Sequence, residues 1–239
     1  MPTLLSTLRV IGPGRAGCSL AGTLGTVGWR TVGLLGRGDD LAGAAHGVDV
    51  LVVASPDAAI AEVAAAVEPD PGAVVVHLAG SLGLDVLARH PRRASLHPLV
   101  ALPDAALGAE RLLAGAWFAV AGDPVVATMV AELGGRALDV AEEHRVAYHA
   151  AACIASNHLV ALLGQVERVA AAAGVPLGAY LDLVRTTVDN VAVHGAAAAL
   201  TGPVARGDQA TVERHRAAID RSELAAYDAM VDATRRLVR

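Results

Sequence analysis

The feature that most constrains this chain is the stretch RVIGPGRAG, residues 9–17, in which three glycines follow an apolar run at the spacing G-x-G-x-x-G. Between a strand and a helix, this spacing is typical of a turn that holds the pyrophosphate of a dinucleotide at the helix N-terminus. The first glycine allows the turn, the second lets backbone N–H groups approach the phosphates, and the third lets helix and strand pack closely. A glycine turn without a ligand is the alternative. The residues expected to contact the dinucleotide are Gly12, Pro13, Gly14, Arg15, Ala16 and Gly17.

Up to about residue 145, short runs rich in Val, Ile and Leu alternate with stretches of helical pattern, and beyond it nearly everything is helical. Such alternation predicts an α/β fold with a doubly wound parallel sheet, because strands that are apolar throughout are covered on both faces. We expect a Rossmann domain at residues 1–145 and an all-α domain at residues 146–239. The predicted strands are Thr7–Ile11, Arg30–Leu35, Asp49–Ser55, Ala73–Ala79, Ala94–Leu99, Trp117–Gly122 and Arg136–Val140.

The end of the second predicted strand, LLGRGDD, indicates which dinucleotide binds. Enzymes that use NAD usually have Asp or Glu here, which binds the 2′-hydroxyl of the ribose. This chain has Gly36 followed by Arg37, and a guanidinium suits the 2′-phosphate of NADP. We expect NADP rather than NAD. Asp39 and Asp40 leave two alternatives open. They could cap a helix, or they could take the place of the acidic residue that NAD enzymes have at the end of this strand.

Composition excludes several classes of function. The net charge of -5 argues against a general nucleic-acid binder, which usually has a basic face. All 19 basic residues are arginine, so no lysine is present to form a Schiff base. The two cysteines, Cys18 and Cys153, lie far apart and form no metal-binding pair, which predicts reduced thiols and no metal.

Two further observations predict a cytoplasmic protein with no membrane partner. The opening MPTLLSTLRV is too short and too interrupted for a signal peptide. We also expect that no apolar run reaches the ~18 residues of a membrane span without a charge, Gly or Pro.

Polar side chains follow the third, fourth and fifth predicted strands, at the sheet edge where the cofactor crevice of such folds lies. Ser55 and Pro56 come directly after the third strand and are expected to face the cofactor. Ser81 follows the fourth strand and His97 ends the fifth, so both are expected to face a substrate. His77 lies inside an apolar strand, which favours a core histidine with satisfied hydrogen bonds.

Five stretches together carry a resemblance: VIGPGRAG, HLAGSLG, SLHPL, YHAAACIASNHLVALL and LTGPVARGD. The chain resembles the 6-phosphogluconate-dehydrogenase-like superfamily, and within it the Rossmann-like proteins with a C-terminal helical domain of unknown function. Some of these are similar to an alternative ketopantoate reductase of pantothenate biosynthesis. The resemblance implies an NADP-dependent reductase of a small carboxylated ketone, with ketopantoate favoured, that forms a homodimer. The alternatives are a non-catalytic NADP-binding sensor or scaffold and a deazaflavin-dependent NADP oxidoreductase.

The chain departs from several branches of that superfamily, which use a catalytic lysine on the first long helix of the second domain. Its own helix offers Ser156 and Asn157, neutral donors that could stabilise negative charge on a ketone oxygen. His149 or His97, with an ordinary pKa near ~6.5, could supply the proton. The alternative is that Ser156 and Asn157 only bond helix carbonyls or a dimer partner.

A loop rich in glycine, LTGPVARGD, interrupts the helical part of the chain. We expect Arg206 there to bind a substrate carboxylate, because a guanidinium can donate two parallel hydrogen bonds to it. We place Asp208 with Arg206 and Ser81 among the substrate-binding residues, and we also expect it to cap the next helix. A structural ion pair between Arg206 and Asp208 is the alternative.

Overall fold

A computed structural model describes residues 6–238 of the chain. Residues 1–5, on which the expectation about a leader partly rests, and residue 239 lie outside the described part. The chain divides into two compact units, of which the first ends at Ile154 and the second begins at Ala155. The boundary expected from the sequence, after residue 145, falls earlier in the same helix.

The first unit is built on one seven-stranded sheet with the order β2-β1-β3-β4-β5-β6-β7. Most neighbouring strands pair in parallel, which confirms the predicted Rossmann-type α/β fold. The order reverses between β1 and β3, and such a switch point is where ligands of open α/β sheets bind. The strands are β1 (Thr7–Ile11), β2 (Arg30–Leu35), β3 (Val50–Val53), β4 (Val74–His77), β5 (Arg93–Pro98), β6 (Trp117–Gly122) and β7 (Arg136–Asp139).

The central strands are buried along their whole length because helices and loops cover both faces of the sheet. Every residue of β3 and β4 is buried. Their side chains alternate between two apolar clusters, so that Val50 and Val52 pack on one face and Leu51 and Val53 on the other. The helices of this unit are α1 (Arg15–Thr26), α2 (Ile60–Ala66), α3 (Ala105–Leu113), α4 (Val125–Glu132) and α5 (Arg145–Cys153).

One strand pair departs from the predicted parallel arrangement: β6 runs antiparallel to β5. The reason is α3, a helix that the sequence analysis did not predict. It packs along α1 instead of crossing the sheet, so the chain enters β6 at the edge where β5 ends. The approach of the two helices is close, since a Cβ on Gly108 would lie 2.1 Å from Ser19 Oγ.

The second unit consists of helices among its described residues. A continuous helix spans Glu142–Ala171, as the sequence predicts, but five of its residues, Ile154–His158, form a π-helical segment. Segments of this kind are rare and are frequently found at functional sites. The part of this long helix that follows the π-helical segment is α6 (Leu159–Ala171). The remaining helices are α7 (Gly178–His194), α8 (Ala196–Ala199), α9 (Gln209–Ala218) and α10 (Leu224–Leu237).

The expectation about membrane-length apolar runs is wrong for this long helix. Residues 146–163 contain no Asp, Glu, Lys, Arg, Gly or Pro. The helix Glu142–Ala171 is thus long and apolar enough to cross a membrane by length and composition, with a mean hydropathy of 1.4 over its most apolar 18 residues. A single helix of this kind is weak evidence for a membrane, and its apolar run is interrupted by His, Ser and Asn side chains.

Two glycines of α1 give a matched test of how tightly this helix packs. A Cβ on Gly17 would lie 2.4 Å from the backbone oxygen of Gly12, whereas a Cβ on the exposed Gly22 would meet no atom of residues 6–238 within 4 Å. Gly17→Ala should lower the free energy of unfolding by about 1–3 kcal/mol through overpacking. Gly22→Ala should raise it by about 0.5–1 kcal/mol, because alanine is favoured inside a helix. Urea unfolding followed by circular dichroism measures both, and equal effects would contradict the packing described here.

Candidate functional site

The glycine-rich turn is pressed against the end of β3, at the switch point of the sheet. Gly12 has a φ of +88°, and a Cβ on it would lie 2.8 Å from the carbonyl carbon and oxygen of Ala54. Any side chain at that position would therefore push the end of β1 away from the end of β3. Gly14 differs, since a Cβ there would meet no atom of the described residues within 4 Å. The turn is thus closed on its inner side and open at Gly14, where a ligand has room to approach the backbone.

The N-terminus of α1 is free to receive an anion. The helix begins at Arg15, its N-cap Gly14 supplies no side-chain acceptor, and no acidic residue lies in its first turn. The first N–H groups of a helix carry partial positive charge and need partners, so an anionic group can satisfy them. The buried hydroxyl of Ser55, beside the same turn, also has no hydrogen-bond partner among the described residues. These features fit the pyrophosphate and ribose of a dinucleotide, as expected from the glycine spacing.

At the end of β2, the acidic residues close local turns and do not cap helices. The Oδ2 atom of Asp39 accepts a hydrogen bond from the backbone N–H of Gly36 at 2.7 Å, and Oδ1 of Asp40 accepts one from Ala42 at 3.0 Å. Arg37 is exposed. The Asp39 carboxylate therefore lies at the strand end, beside the position where Arg37 was expected to receive a 2′-phosphate.

Helix α5 brings two aromatic side chains to the ends of β4 and β5. The hydroxyl of Tyr148 lies 2.7 Å from Nδ1 of His97, and the rings of His97 and His149 meet edge to face, with centroids 5.8 Å apart. Gly80 lies between the imidazoles, because a Cβ on it would lie 2.6 Å from His149 Cδ2 and 2.8 Å from His97 Nε2. This His97–Tyr148–His149 group, which we call the histidine cluster, lies at the carboxyl ends of β4 and β5.

His77 is a structural residue, as its place inside an apolar strand predicts. Its Nδ1 accepts a hydrogen bond from the N–H of Ala79 at 3.2 Å, and its Nε2 donates one to the carbonyl of Gly83 at 3.1 Å. One nitrogen accepts and the other donates, so the ring is neutral. Burial lowers the pKa of His77 to about 4, and the nearby charge of Arg145 acts in the same direction.

Protonation of His97 is disfavoured in the folded protein, which argues against the proton-donor role that the sequence allowed for it or for His149. Burial, followed by the nearby His149 and Arg145, lowers the pKa of His97 to about 4. At neutral pH the imidazole of His97 is therefore uncharged, and the ordinary pKa near ~6.5 assumed for it does not hold. Its contribution must be that of a neutral hydrogen-bonding partner, most directly to Tyr148.

Arg145, at the first position of α5, is a residue of this region that the sequence analysis missed. Its side chain is only 2% exposed, and its Nη2 donates to the carbonyl of Ala79 at 3.3 Å. Its Nε and Nη1 atoms have no hydrogen-bond partner within residues 6–238. Nothing in the sequence distinguishes it from the other arginines except its position three residues before Tyr148, one helical turn away.

The hydroxyl of Ser81 donates to Oδ2 of Asp57 at 3.3 Å, joining the loops after β4 and β3. In the second unit, Asn157 lies in the π-helical segment and is exposed. Ser156 Oγ donates to Asn157 Oδ1 at 3.1 Å, so the NH₂ end of this amide remains as its donor.

Asp208 caps α9, as its position predicts. Its Oδ1 accepts from the N–H of Thr211 at 3.0 Å, and its Oδ2 accepts from the Thr211 hydroxyl at 2.7 Å. These bonds hold the pKa of Asp208 below its ordinary value. Within residues 6–238, Arg206 makes no ion pair with Asp208 or another acid, and its side chain is exposed. The structural ion pair between Arg206 and Asp208, which was the alternative, is therefore not formed among these residues.

Comparisons in sequence find one family. The family described as Domain of unknown function (DUF2520) matches residues 118–234, slightly less than half of the chain. No curated protein matches the chain.

Solved structures share the fold over nearly the whole chain. BF3122 of Bacteroides fragilis, provisionally named an NADP oxidoreductase, has a TM-score of 0.81 at 19% identity, covering 97% of this chain and 98% of its own. TM1727 of Thermotoga maritima has a TM-score of 0.72 at 26% identity, with the same coverage. A reductive aminase of Aspergillus terreus, in complex with NADPH and ethyl-5-oxohexanoate, has a TM-score of 0.69 at 15% identity over 98% of this chain and 94% of its own.

The lowered pKa values of His77 and His97 predict how the free energy of unfolding depends on pH. Because their pKa values are about 4 in the folded protein, the unfolded chain binds more protons between pH 6.5 and 4. Their stabilising effect is complete above pH 6.5 and is lost as the pH falls toward 4, by up to about 3 kcal/mol per histidine. Urea unfolding at pH 7, 6 and 5 measures this loss. His77→Gln and His97→Gln should each make the decline shallower, and an undiminished decline in both variants would contradict the assignment.

Proposed function

We propose that the protein is an NADP-dependent oxidoreductase that transfers a hydride between the nicotinamide and a small carboxylated ketone or imine. The observation that carries the proposal is the glycine turn, open at Gly14 and placed at an uncapped helix N-terminus beside the switch point. The names of structural neighbours, which include an NADP oxidoreductase and a reductive aminase bound to NADPH and a keto ester, support the same chemistry. Within this class we propose 2-keto acids as substrates, with ketopantoate first.

Bound at this turn, NADPH would supply the hydride, and the residues of the chain would hold and orient it. The first-turn N–H groups of α1 would bind the pyrophosphate, and the Arg37 guanidinium would bind the 2′-phosphate. The Asp39 carboxylate at the Gly36 amide opposes this second contact, because it places negative charge at the same strand end. Arg37 and Asp39 would together set the preference between the two cofactors.

We assign substrate contacts in the second unit to Asn157 and Arg206. Negative charge builds on a carbonyl oxygen as hydride reaches its carbon, and a neutral amide donor stabilises that charge. Ser156 would orient the Asn157 amide, since its hydroxyl donates to Oδ1 and leaves the NH₂ to bind the substrate oxygen. The exposed Arg206, without an ion pair among the described residues, would bind the substrate carboxylate. His149 remains a further candidate for contact with substrate.

We also propose that the protein is a homodimer. Large apolar side chains of α7 face solvent, with Leu183 exposed by 63% and Val193 by 76%. The apolar residues of the second unit that are buried, among those described, are Ala170, Val212 and Val231. An all-helical unit with so small a core gains stability by burying its exposed apolar faces against a second copy. We keep the cytoplasm as the proposed compartment, because Cys18 and Cys153 are both free thiols.

The proposed activity is tested by NADPH oxidation, followed at 340 nm, with a panel of 2-keto acids, ketopantoate and cyclic imines. Turnover of at least one of them is expected. An NADP-binding sensor would bind NADPH and oxidise none, and a deazaflavin-dependent enzyme would react only when supplied with that cofactor. Either result would contradict the proposal.

On the substrate so identified, Asn157→Ala should lower kcat by about 100-fold, the scale for losing one donor that stabilises developing charge. Arg206→Ala should mainly raise KM, because its contact is made equally in ground and transition states. The control is Asn190→Ala on the exposed surface of α7, which should leave both constants unchanged. Full turnover in the Asn157→Ala, Arg206→Ala double variant would place the substrate site elsewhere.

The cofactor preference is tested by calorimetric titration with NADPH and NADH. NADPH should bind at least tenfold more tightly, about 1.4 kcal/mol. Arg37→Ala should remove most of this preference, whereas Arg30→Ala, at the other end of β2, should not change it. Asp39→Asn keeps an acceptor for the Gly36 amide but removes the charge, so it should increase the preference for NADPH. Equal affinities in the unmutated protein would exclude the assignment to Arg37.

The dimer is tested by light scattering at micromolar concentration, where a mass twice the 24.1 kDa of the chain is expected. Leu183→Glu should shift the mass toward the monomer, because a charge cannot be buried in an apolar interface without a partner. Asp189→Asn on the same helix is the control and should remain dimeric. A monomeric unmutated protein would refute the proposal.

A further inference from the structure

We infer that Tyr148 supplies the proton in the reduction and that the buried guanidinium of Arg145 stabilises the phenolate that remains. The inference rests on the proposed function and adds two residues to it. Both side chains come from α5, one turn apart, and both belong to the first unit together with the sheet.

The position of Tyr148 is fixed by His97. The Tyr148 hydroxyl lies 2.7 Å from His97 Nδ1, and the two rings meet edge to face, with centroids 5.5 Å apart and planes at 89°. His97 belongs to β5, so this hydrogen bond ties a half-buried phenol to the carboxyl edge of the sheet. The turn proposed to bind the dinucleotide follows β1 at that same edge, because β1 and β5 run in the same direction.

The neutral state of His97 decides which way this hydrogen bond can work. A neutral imidazole with its proton on Nδ1 donates to the Tyr148 oxygen, and the phenol can then donate its own proton to a substrate. A proton on Nε2 would instead make Nδ1 an acceptor and turn the phenol toward it. Only the first tautomer lets Tyr148 act as an acid, and in that tautomer His97 also stabilises the phenolate.

The charge of Arg145 gives the reason for preferring Tyr148 as the acid. The guanidinium is buried, makes one hydrogen bond to a backbone carbonyl, and forms no ion pair with a carboxylate among residues 6–238. A buried cation without an anion is costly, because it loses its hydration without gaining a counter-charge. Tyr148 is the acidic group with the largest electrostatic effect on Arg145, ahead of Glu142. A phenolate at Tyr148 would be the missing counter-charge.

The electrostatics of the phenol itself agree with this pairing. Burial raises the pKa of Tyr148, which keeps its proton in place at neutral pH, and Arg145 acts in the opposite direction by favouring the ionised form. The phenol therefore begins the reaction protonated, and Arg145 makes its ionisation less costly than burial alone would make it. No lysine is present in the chain to serve instead.

The step balances with one proton taken up in each turnover. The carbonyl carbon accepts the hydride, and the electron pair of the C=O π bond moves to the oxygen. That oxygen takes the proton of the Tyr148 hydroxyl, so the substrate leaves as an alcohol. The phenolate, held by Arg145 and the Nδ1–H of His97, regains a proton from water, and the hydroxide formed is neutralised by the solvent.

The decisive variant is Tyr148→Phe, assayed on the substrate that the unmutated protein reduces. Its kcat should fall at least 100-fold, the usual contribution of a positioned acid, with NADPH affinity unchanged within twofold. Tyr180→Phe, which changes a tyrosine of α7, is the control and should keep full activity. Turnover by the unmutated protein together with undiminished turnover by Tyr148→Phe would overturn the inference and leave the proposed function standing. No turnover by the unmutated protein would overturn both.

The role of Arg145 needs a measurement that a loss of packing would not mimic. Ultraviolet titration of tyrosine ionisation, with Tyr148→Phe subtracted, isolates the phenol of Tyr148 from the other two tyrosines. Arg145→Gln should move that titration to higher pH and lower kcat at least tenfold, and Arg145→Lys should restore part of both. A titration unchanged by Arg145→Gln in a folded protein would overturn the assignment to Arg145.

Discussion

The close contact between the glycine turn and the end of β3 is the constraint on which the rest of the first unit depends. Gly12 meets the backbone of Ala54 so closely that no side chain fits, and Gly17 lets α1 lie directly over the turn. These two contacts set the angle at which α1 leaves the sheet. They also point its free N–H groups toward the switch point, where the open side of the turn lies at Gly14. The packing of α1 and the proposed binding of a dinucleotide thus both depend on the absence of Cβ atoms in this turn.

A second constraint is electrostatic and acts at the ends of β4 and β5. Two histidines there are neutral because they are buried, and a buried arginine nearby makes their protonation still less favourable. This arrangement concentrates positive charge in one guanidinium and leaves imidazoles that can only donate or accept hydrogen bonds. A site of this kind favours the appearance of negative charge, which is what a carbonyl reduction generates on the substrate and then on the acid.

The strands show how far the sequence predicts the fold. The bounds of β1, β2 and β6 agree with the prediction, because each is an apolar or β-branched run ended by glycine or a turn residue. The helix α3 was missed, although Asp104 caps it by accepting from the N–H of Leu107, and the direction of β6 could not be known without it. Helical pattern alone does not tell whether a helix crosses a sheet or lies along another helix.

The candidate site divides in the same way. Local sequence determined the glycine turn, the switch-point position of Ser55 and the cap at Asp208, because each depends on backbone geometry within a few residues. Only the tertiary structure decided the charge state of His97, the pairing of that residue with Tyr148 and the isolation of Arg145. These properties arise from burial and from neighbours about fifty residues or more away in the chain. The sequence contains the groups, but the dielectric and the partners that decide their chemistry exist only when α5 lies against the sheet.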